Sequence, residues 1–595
     1  MSIHSGVAAF VGLALAFLAD QALADCKVSQ IAELPVTMNG PRPMIPAKIN
    51  GADVMFLADS GAFYSVLSPS TAAEHKLAHH VVWNLTIGGI GGHTQASVTT
   101  VKAFTLAAFP LPNVEFLIAE GVGGDDAAGV LGQNILGVAD VEYDLAHGVI
   151  RLIRAEGCRQ VPLAYWARDM AWSAIDIKPP EPVNRHTEGV AFVNGVQMRV
   201  GFNTGAATSM LTLRAAARAG VKLDGPGVVP GGLTSGVGPR PVKTWIAPIA
   251  SFKIGDEEIR NTRLRIGDTD LEGVDMLLGP DFFLSHRVYV SNAQHKLYFT
   301  YNGGPVFNLT AKTPPLVQNG SDQAPQPSTI TNGAVPEPTG AEGFSRRGAA
   351  FAARRDFQHA IADFDRAIAM TPSEPKYFYQ RAMARWSDKQ PLPAAADLDQ
   401  ALKLKPDDIE ALTARARMRL AKGETIAAIA DLDAVSKAAP KEADIRLALA
   451  ELYEHAEQFD PALAQIELWV AAHADDGQMF RALNDRCWVR ALLGRDLDQA
   501  LNDCNRALGD APKTAAVLDS RGLVHLRLGQ FNDAVADYDA ALALRPGAPW
   551  SLYGRGLAKM RLGVRADGQA DVAAAVALQP KLPDQAKHYG IVAPD

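Results

Sequence analysis

From about residue 30 to residue 160, apolar residues come in short runs broken by glycine, and the same layout recurs up to residue 302. Short apolar runs with glycine punctuation predict strands joined by tight turns. From Glu342 onward the pattern changes to helical spacing, with prolines at Pro372, Pro406 and Pro440, then at Pro512, Pro546 and Pro580, stepping by 34 within each trio. Between them, Gly303 to Ala341 is rich in proline, serine, glycine and glutamine with no periodicity, which predicts a flexible, partly extended linker. The chain is thus expected to be multidomain, all-β first and all-α afterwards.

Within the β part, one layout is written twice. Asn50-Gly51 and Asn194-Gly195 are Asn-Gly signals for a hairpin with a type I′ turn. Nine residues after each asparagine, a strand delivers Asp59-Ser60-Gly61-Ala62 in the first unit and Asn203-Thr204-Gly205-Ala206 in the second, with Ser65 and Ser209 six positions on. About thirty residues downstream lie glycine-rich segments suited to a mobile hairpin tip: Gly88-Gly89-Ile90-Gly91-Gly92 and Gly236-Val237-Gly238. Val130-Leu131-Gly132 and Leu277-Leu278-Gly279 follow, and closing hairpins are expected at Val141–Ile153 and Val288–Thr300. A phosphate-binding reading of the glycines fails, because Gly225-Pro226-Gly227 precedes no convincing helix and no P-loop motif occurs.

Composition narrows the classes. The chain has 595 residues and a formal net charge of −8, too long for one core and without a basic run for nucleic acid. The apolar stretch Val7 to Ala19 followed by Ala22-Leu23-Ala24 reads as a signal peptide over 1–24, cleaved after Ala24, against a buried helix or an uncleaved anchor. A periplasmic or secreted protein follows, with no stable membrane span after cleavage. The four cysteines fit that compartment as two disulfides, Cys26 with Cys158 and Cys487 with Cys504, against buried thiols. No Cys/His spacing suggests a metal site, and His79-His80 reads as a solvated loop pair.

On the ordered set of hairpin, acid-hydroxyl-glycine turn, glycine-rich tip and apolar-glycine segment, each β unit resembles a retropepsin-type aspartic peptidase, with lobes over 25–160 and 161–302. The resemblance implies Asp59 as the catalytic acid, Gly61 and Gly205 as the glycines of the two catalytic turns, Ser60 and Thr204 as the hydroxyls tying those turns together, and Gly88–Gly92 as the flap, with Gly236–Gly238 its counterpart. It implies an extended polypeptide as substrate and no cofactor or metal. The family works with two carboxylates sharing one proton, and here the second position holds Asn203, an amide that donates hydrogen bonds but gives up no proton. Three readings stay open: a homodimer pairing Asp59 with Asp59 of a second chain, an internal Asp59/Asn203 site of low activity, and a pseudo-peptidase that binds peptide without cutting.

The helical part, 342–580, resembles tetratricopeptide (TPR) repeats, about seven in number with 581–595 as a tail. Gly348, Ala360, Phe364 and Ala367, and Gly522, Ala534, Tyr538 and Ala541, carry the repeat positions; Ala450, Tyr453, Ala462 and Ile466 fit a degenerate fourth copy. Such an array offers a concave face to a protein or peptide partner.

Overall fold

A computed structural model describes residues 26–124, 127–168, 170–179, 186–234, 236–238, 242–271, 273–307, 337–441, 443–473, 479–510 and 514–593. The apolar leader and most of the linker lie outside the described residues. The β part forms three sheets. In the first unit, eight strands run in the spatial order Thr37–Asn39, Arg42–Ile49, Ala52–Ala58, Gly129–Leu131, Val66–Leu67, Phe109–Ile118, Gly92–Leu106 and His79–Gly89, and Arg42–Ile49 also pairs with Gly92–Leu106. The second unit repeats this with seven strands, Glu188–Val193 pairing with both Val196–Phe202 and Val242–Ile254.

The Asn-Gly turns form as expected: Asn50 and Asn194 both have φ of 50°, followed by Gly51 at 93° and Gly195 at 78°. Both central residues of a type I′ turn need positive φ, which asparagine tolerates and glycine adopts freely. His79 and His80 are exposed, but they begin a strand rather than occupy a loop.

The third sheet is shared. Its order is Lys27–Pro35, Val149–Glu156, Asp140–Asp144, His286–Ser291, Lys296–Tyr301 and Ser173–Asp176, three strands from each unit. The two closing hairpins meet at its centre, where Val141 faces Val290 and Tyr143 faces Val288. Fully buried Glu142 lies at this seam, accepting from Arg151 at 2.6 Å, Arg287 at 2.8 Å and the Tyr165 hydroxyl. A buried carboxylate is tolerable only when so paired, and the pairing joins residues of both units. The Cys26–Cys158 disulfide ties the edge strand of this sheet to its neighbour, and Cys487–Cys504 links the two helices of the fifth repeat.

The second half is a run of helical hairpins. The first is Ala341–Ala353 with Phe357–Met370 and the seventh Pro549–Arg561 with Arg565–Leu578, followed by a further helix, Leu582–His588, within the expected tail. Small residues let the helices close: a Cβ on Gly348 would stand 2.9 Å from the Phe364 ring, and one on Gly522 2.9 Å from Tyr538. An ion pair on a buried aspartate joins the two helices of most hairpins, as Arg347–Asp363, Arg381–Asp397, Arg415–Asp431, Arg486–Asp503, Arg521–Asp537 and Arg555–Asp571. In the fourth hairpin Leu449 and Gln465 hold those places, and Arg446 bonds Gln465 instead. The array is docked on the β part: Ala349, Ala350, Ala360 and Phe364 share one hydrophobic core with Leu34, Val36 and Leu145. Arg354 donates to Gly303 O at 3.2 Å, and Ser70 to Asp444 at 2.8 Å.

Candidate active site

Each strand that leads into a motif ends against its unit's apolar-glycine segment. Asp59 N–H donates to Leu131 O at 3.0 Å and Asn203 N–H to Leu278 O at 2.9 Å, so both turns are held by the same backbone bond. Behind them, Ser65 accepts from Gly132 N–H at 3.0 Å and donates to Asn134 Oδ1 at 2.8 Å. In the second unit Ser209 accepts from Gly279 N–H at 2.9 Å and donates to Asp281 Oδ1 at 2.7 Å.

Asn134 and Asp281 were not picked out from the sequence, though each stands two residues after the apolar-apolar-glycine segment. The units have exchanged residue types: the first has aspartate in the turn and asparagine behind it, the second the reverse.

The two turns bind each other through buried Ser60 and Thr204. Ser60 N–H donates to Thr204 Oγ1 at 2.9 Å and Thr204 N–H to Ser60 Oγ at 3.0 Å. The hydroxyls in turn donate across, Ser60 Oγ to Phe202 O at 2.9 Å and Thr204 Oγ1 to Ala58 O at 2.7 Å. This reciprocal set exists only because a hydroxyl residue follows the acid or amide in both copies.

Gly61 and Gly205 supply the remaining condition. A Cβ on Gly61 would fall 2.1 Å from Asn203 Nδ2, and one on Gly205 would fall 2.2 Å from Asp59 Cγ. Each side chain therefore lies over the opposite turn, and Asp59 faces Asn203 of its own chain. Pairing Asp59 with a second chain would require opening both this hydroxyl network and the shared sheet.

The electrostatics of Asp59 come from burial rather than from a second carboxylate. Removal from water pushes its pKa up to about 6, while backbone N–H groups of Gly61, Ala62 and Gly205 pull it back. Burial thus leaves Asp59 ionised only above about pH 6. Asn203 Oδ1 accepts from Ala206 N–H at 2.8 Å, which fixes the amide and turns Nδ2 toward Gly61 and the cleft.

Over the turns lie the two glycine-rich tips. Gly88 and Gly89 end one strand, Ile90 and Gly91 form the tip, and Gly92 opens the next strand. Gly91 N–H donates to Val237 O at 2.9 Å. A Cβ on Gly89 would be 2.7 Å from that of Val237, one on Gly236 2.7 Å from Ile90, and one on Gly238 2.3 Å from Gly91. The tips interlock through the absence of side chains and roof a cavity of about 870 Å³ whose floor includes Asp59, Gly61, Asn203 and Gly205.

An aspartyl protease family model matches the chain twice, over residues 45–137 and 190–282. TPR models match residues 419–485 and 522–563. No curated protein matches the chain. Among solved structures, the chain is similar to a TPR protein from Parabacteroides merdae, 15% identical over 42% of this chain and 98% of that one, with a TM-score of 0.33. It is also similar to YrrB, described as a TPR protein with an unusual peptide-binding site, 20% identical over 33% and 98%, TM-score 0.29. A third is the C-terminal part of a TPR-containing protein from Cytophaga hutchinsonii, 14% identical over 36% and 87%, TM-score 0.30. With the repeated turn, the two sheets built alike and the helical hairpins, the chain consists of two retropepsin-like aspartyl protease domains in tandem, followed by a solenoid of tetratricopeptide repeats.

Proposed function

We propose that this is an exported, periplasmic or secreted aspartic-type endopeptidase of low turnover, which hydrolyses an extended polypeptide held between its two lobes while the helical array recruits a protein or peptide partner. The observation that carries the reading is the complete reciprocal bonding of Ser60 and Thr204, which holds Asp59 and Asn203 under a roofed cleft. The two disulfides are compatible with export, and among the described residues no helix is long and apolar enough to cross a membrane.

The chemistry available to one carboxyl is sequential. Above about pH 6 Asp59 is ionised and takes a proton from the attacking water as the new C–O bond forms. Asn203 Nδ2 donates a hydrogen bond to the carbonyl oxygen as negative charge develops there. Asp59 then returns its proton to the leaving amine as the C–N bond breaks. What the site lacks is a second acid to protonate the carbonyl oxygen, so turnover is slow. The same amide supports a second reading, a pseudo-peptidase that holds peptide without cutting it.

Mass-spectrometric analysis of a diverse peptide pool incubated with the mature protein, beside Asp59→Ala, tests the first reading. Cleavage by the wild type that Asp59→Ala abolishes is the expected result. Equal behaviour of the two proteins removes the peptidase claim and leaves the binding one.

A further inference from the structure

The two halves of the cleft are built from matching rows of side chains, and the rows differ in charge. In the first lobe, adjacent strands place Leu57 beside Val130, Val130 beside Val66 and Val66 beside Leu117. In the second lobe the same register places Gly201 beside Leu277, Leu277 beside Met210 and Met210 beside Arg265. Leu57 and Gly201, and Val66 and Met210, are 144 residues apart, the same offset as Asp59 and Asn203. Arg265 therefore stands where the first lobe has Leu117. All eight residues line the cavity.

The guanidinium is anchored but not neutralised. One nitrogen, Nη1, donates to Gly231 O at 2.7 Å and to Thr244 Oγ1 at 2.7 Å. Its Nε is buried without a hydrogen-bond partner. No carboxylate oxygen lies within 4.0 Å of it among the described residues. The acid that acts on it, through space only, is Asp281, whose oxygens are already engaged by Ser209, Thr208 and the Phe282 N–H. Glu188, which also lines the cleft, pairs with Gly201 at the other end of the row. It is thus four strand spacings of about 4.8 Å each from Arg265, and Asp270 is exposed.

A guanidinium anchored through Nη1 alone keeps its Nη2 donors for a carboxylate, which they bind by a charge-assisted hydrogen bond. We infer that the second-lobe half of the cleft is an anionic-ligand subsite in which Arg265 receives a carboxylate of the bound polypeptide, while the first-lobe half takes an aliphatic side chain. This rests on the cleft being a peptide site, as proposed above. The carboxylate belongs either to an Asp or Glu side chain or to the peptide's C-terminus, and the two sources separate by experiment.

The test is fluorescence anisotropy of the full mature chain with labelled peptides of equal length, in which a Glu/Gln exchange is moved through every position and the C-terminus is free or amidated. In one register the Glu peptide should bind about tenfold more tightly than its Gln partner. A preference that follows the free C-terminus instead assigns the subsite to the terminal carboxylate. Arg265→Leu, which copies the first-lobe wall, should erase the preference; Arg265→Lys should keep part of it. In the unmodified protein the Glu/Gln ratio should shrink when salt rises from about 0.05 M to about 0.5 M, a measurement that needs no variant to fold. Peptides that bind without any carboxylate preference, or a preference that survives Arg265→Leu, overturn this inference and leave the peptide cleft standing. Absence of peptide binding altogether overturns both.

Discussion

Asn203→Asp is the substitution that weighs most on the proposed chemistry. The exchange replaces Nδ2 by an oxygen of nearly equal size, and the bond from Ala206 N–H to Oδ1 survives it. The new oxygen lies over Gly61, while Asp59 lies over Gly205, so the two carboxyls face each other across the hydroxyl network. Two such charges at about 4 Å repel by about 4 kcal/mol at an effective dielectric of 20, or about 3 pKa units. The pair then keeps one proton through mildly acidic and neutral pH. The site gains the acid it lacks, and general acid catalysis is worth on the order of 10²–10⁴ in rate.

Cleavage of a peptide pool, followed by mass spectrometry and then by kcat on the best substrate, should rise by about that factor for Asn203→Asp. The pH profile should change from a single ionisation near 6, where Asp59 titrates, to a bell. The same repulsion should lower the melting temperature at pH 7 and less so at pH 5. A folded Asn203→Asp protein that binds peptide yet cuts no faster than wild type would refute the reasoning, because the missing acid would not then be what limits the site.

Other expectations follow from the same geometry. Asp59 has its folded pKa raised from 3.8 to about 6, so its protonated form favours the native state. That contribution is fully present below about pH 4 and is lost as pH rises through 6. Asp59→Asn should therefore raise stability above pH 6 by on the order of 2–3 kcal/mol and change little below pH 4, as read by denaturant titration across pH. Gly205→Ala should abolish both cleavage and peptide binding, since its Cβ would stand 2.2 Å from Asp59 Cγ, and calorimetry should show a destabilised β part. Ser60→Ala removes a donor to Phe202 O and an acceptor from Thr204 N–H, and should cost about 2–4 kcal/mol in a buried network. Asp431→Ala leaves Arg415 with Asp399 alone and Arg419 without a carboxylate and should cost about 1.5–3 kcal/mol of array stability, seen as a lowered helical melting transition.

The sequence alone determined whatever depends on local chemistry and on period. Asn-Gly at two places sets two hairpin turns, glycine-rich segments set two tips without side-chain bulk, a 34-residue step sets helical hairpins, and four cysteines leave few pairings. These follow from short-range sterics and from spacing, which need no knowledge of what lies opposite. Tertiary structure decided which groups face one another. That Asp59 meets Asn203 of the same chain depends on a sheet assembled from strands more than a hundred residues apart. That its pKa is set by burial depends on a roof of two interlocked tips. The exchange of Asn134 for Asp281 is legible two residues after each apolar-apolar-glycine segment, whereas that of Leu117 for Arg265 in the cleft wall becomes visible only when strand register superposes one lobe on the other. Side chains in neighbouring strands acquire their partners through pairing and twist of the sheet, and no pattern along a single strand encodes which residue will stand beside it.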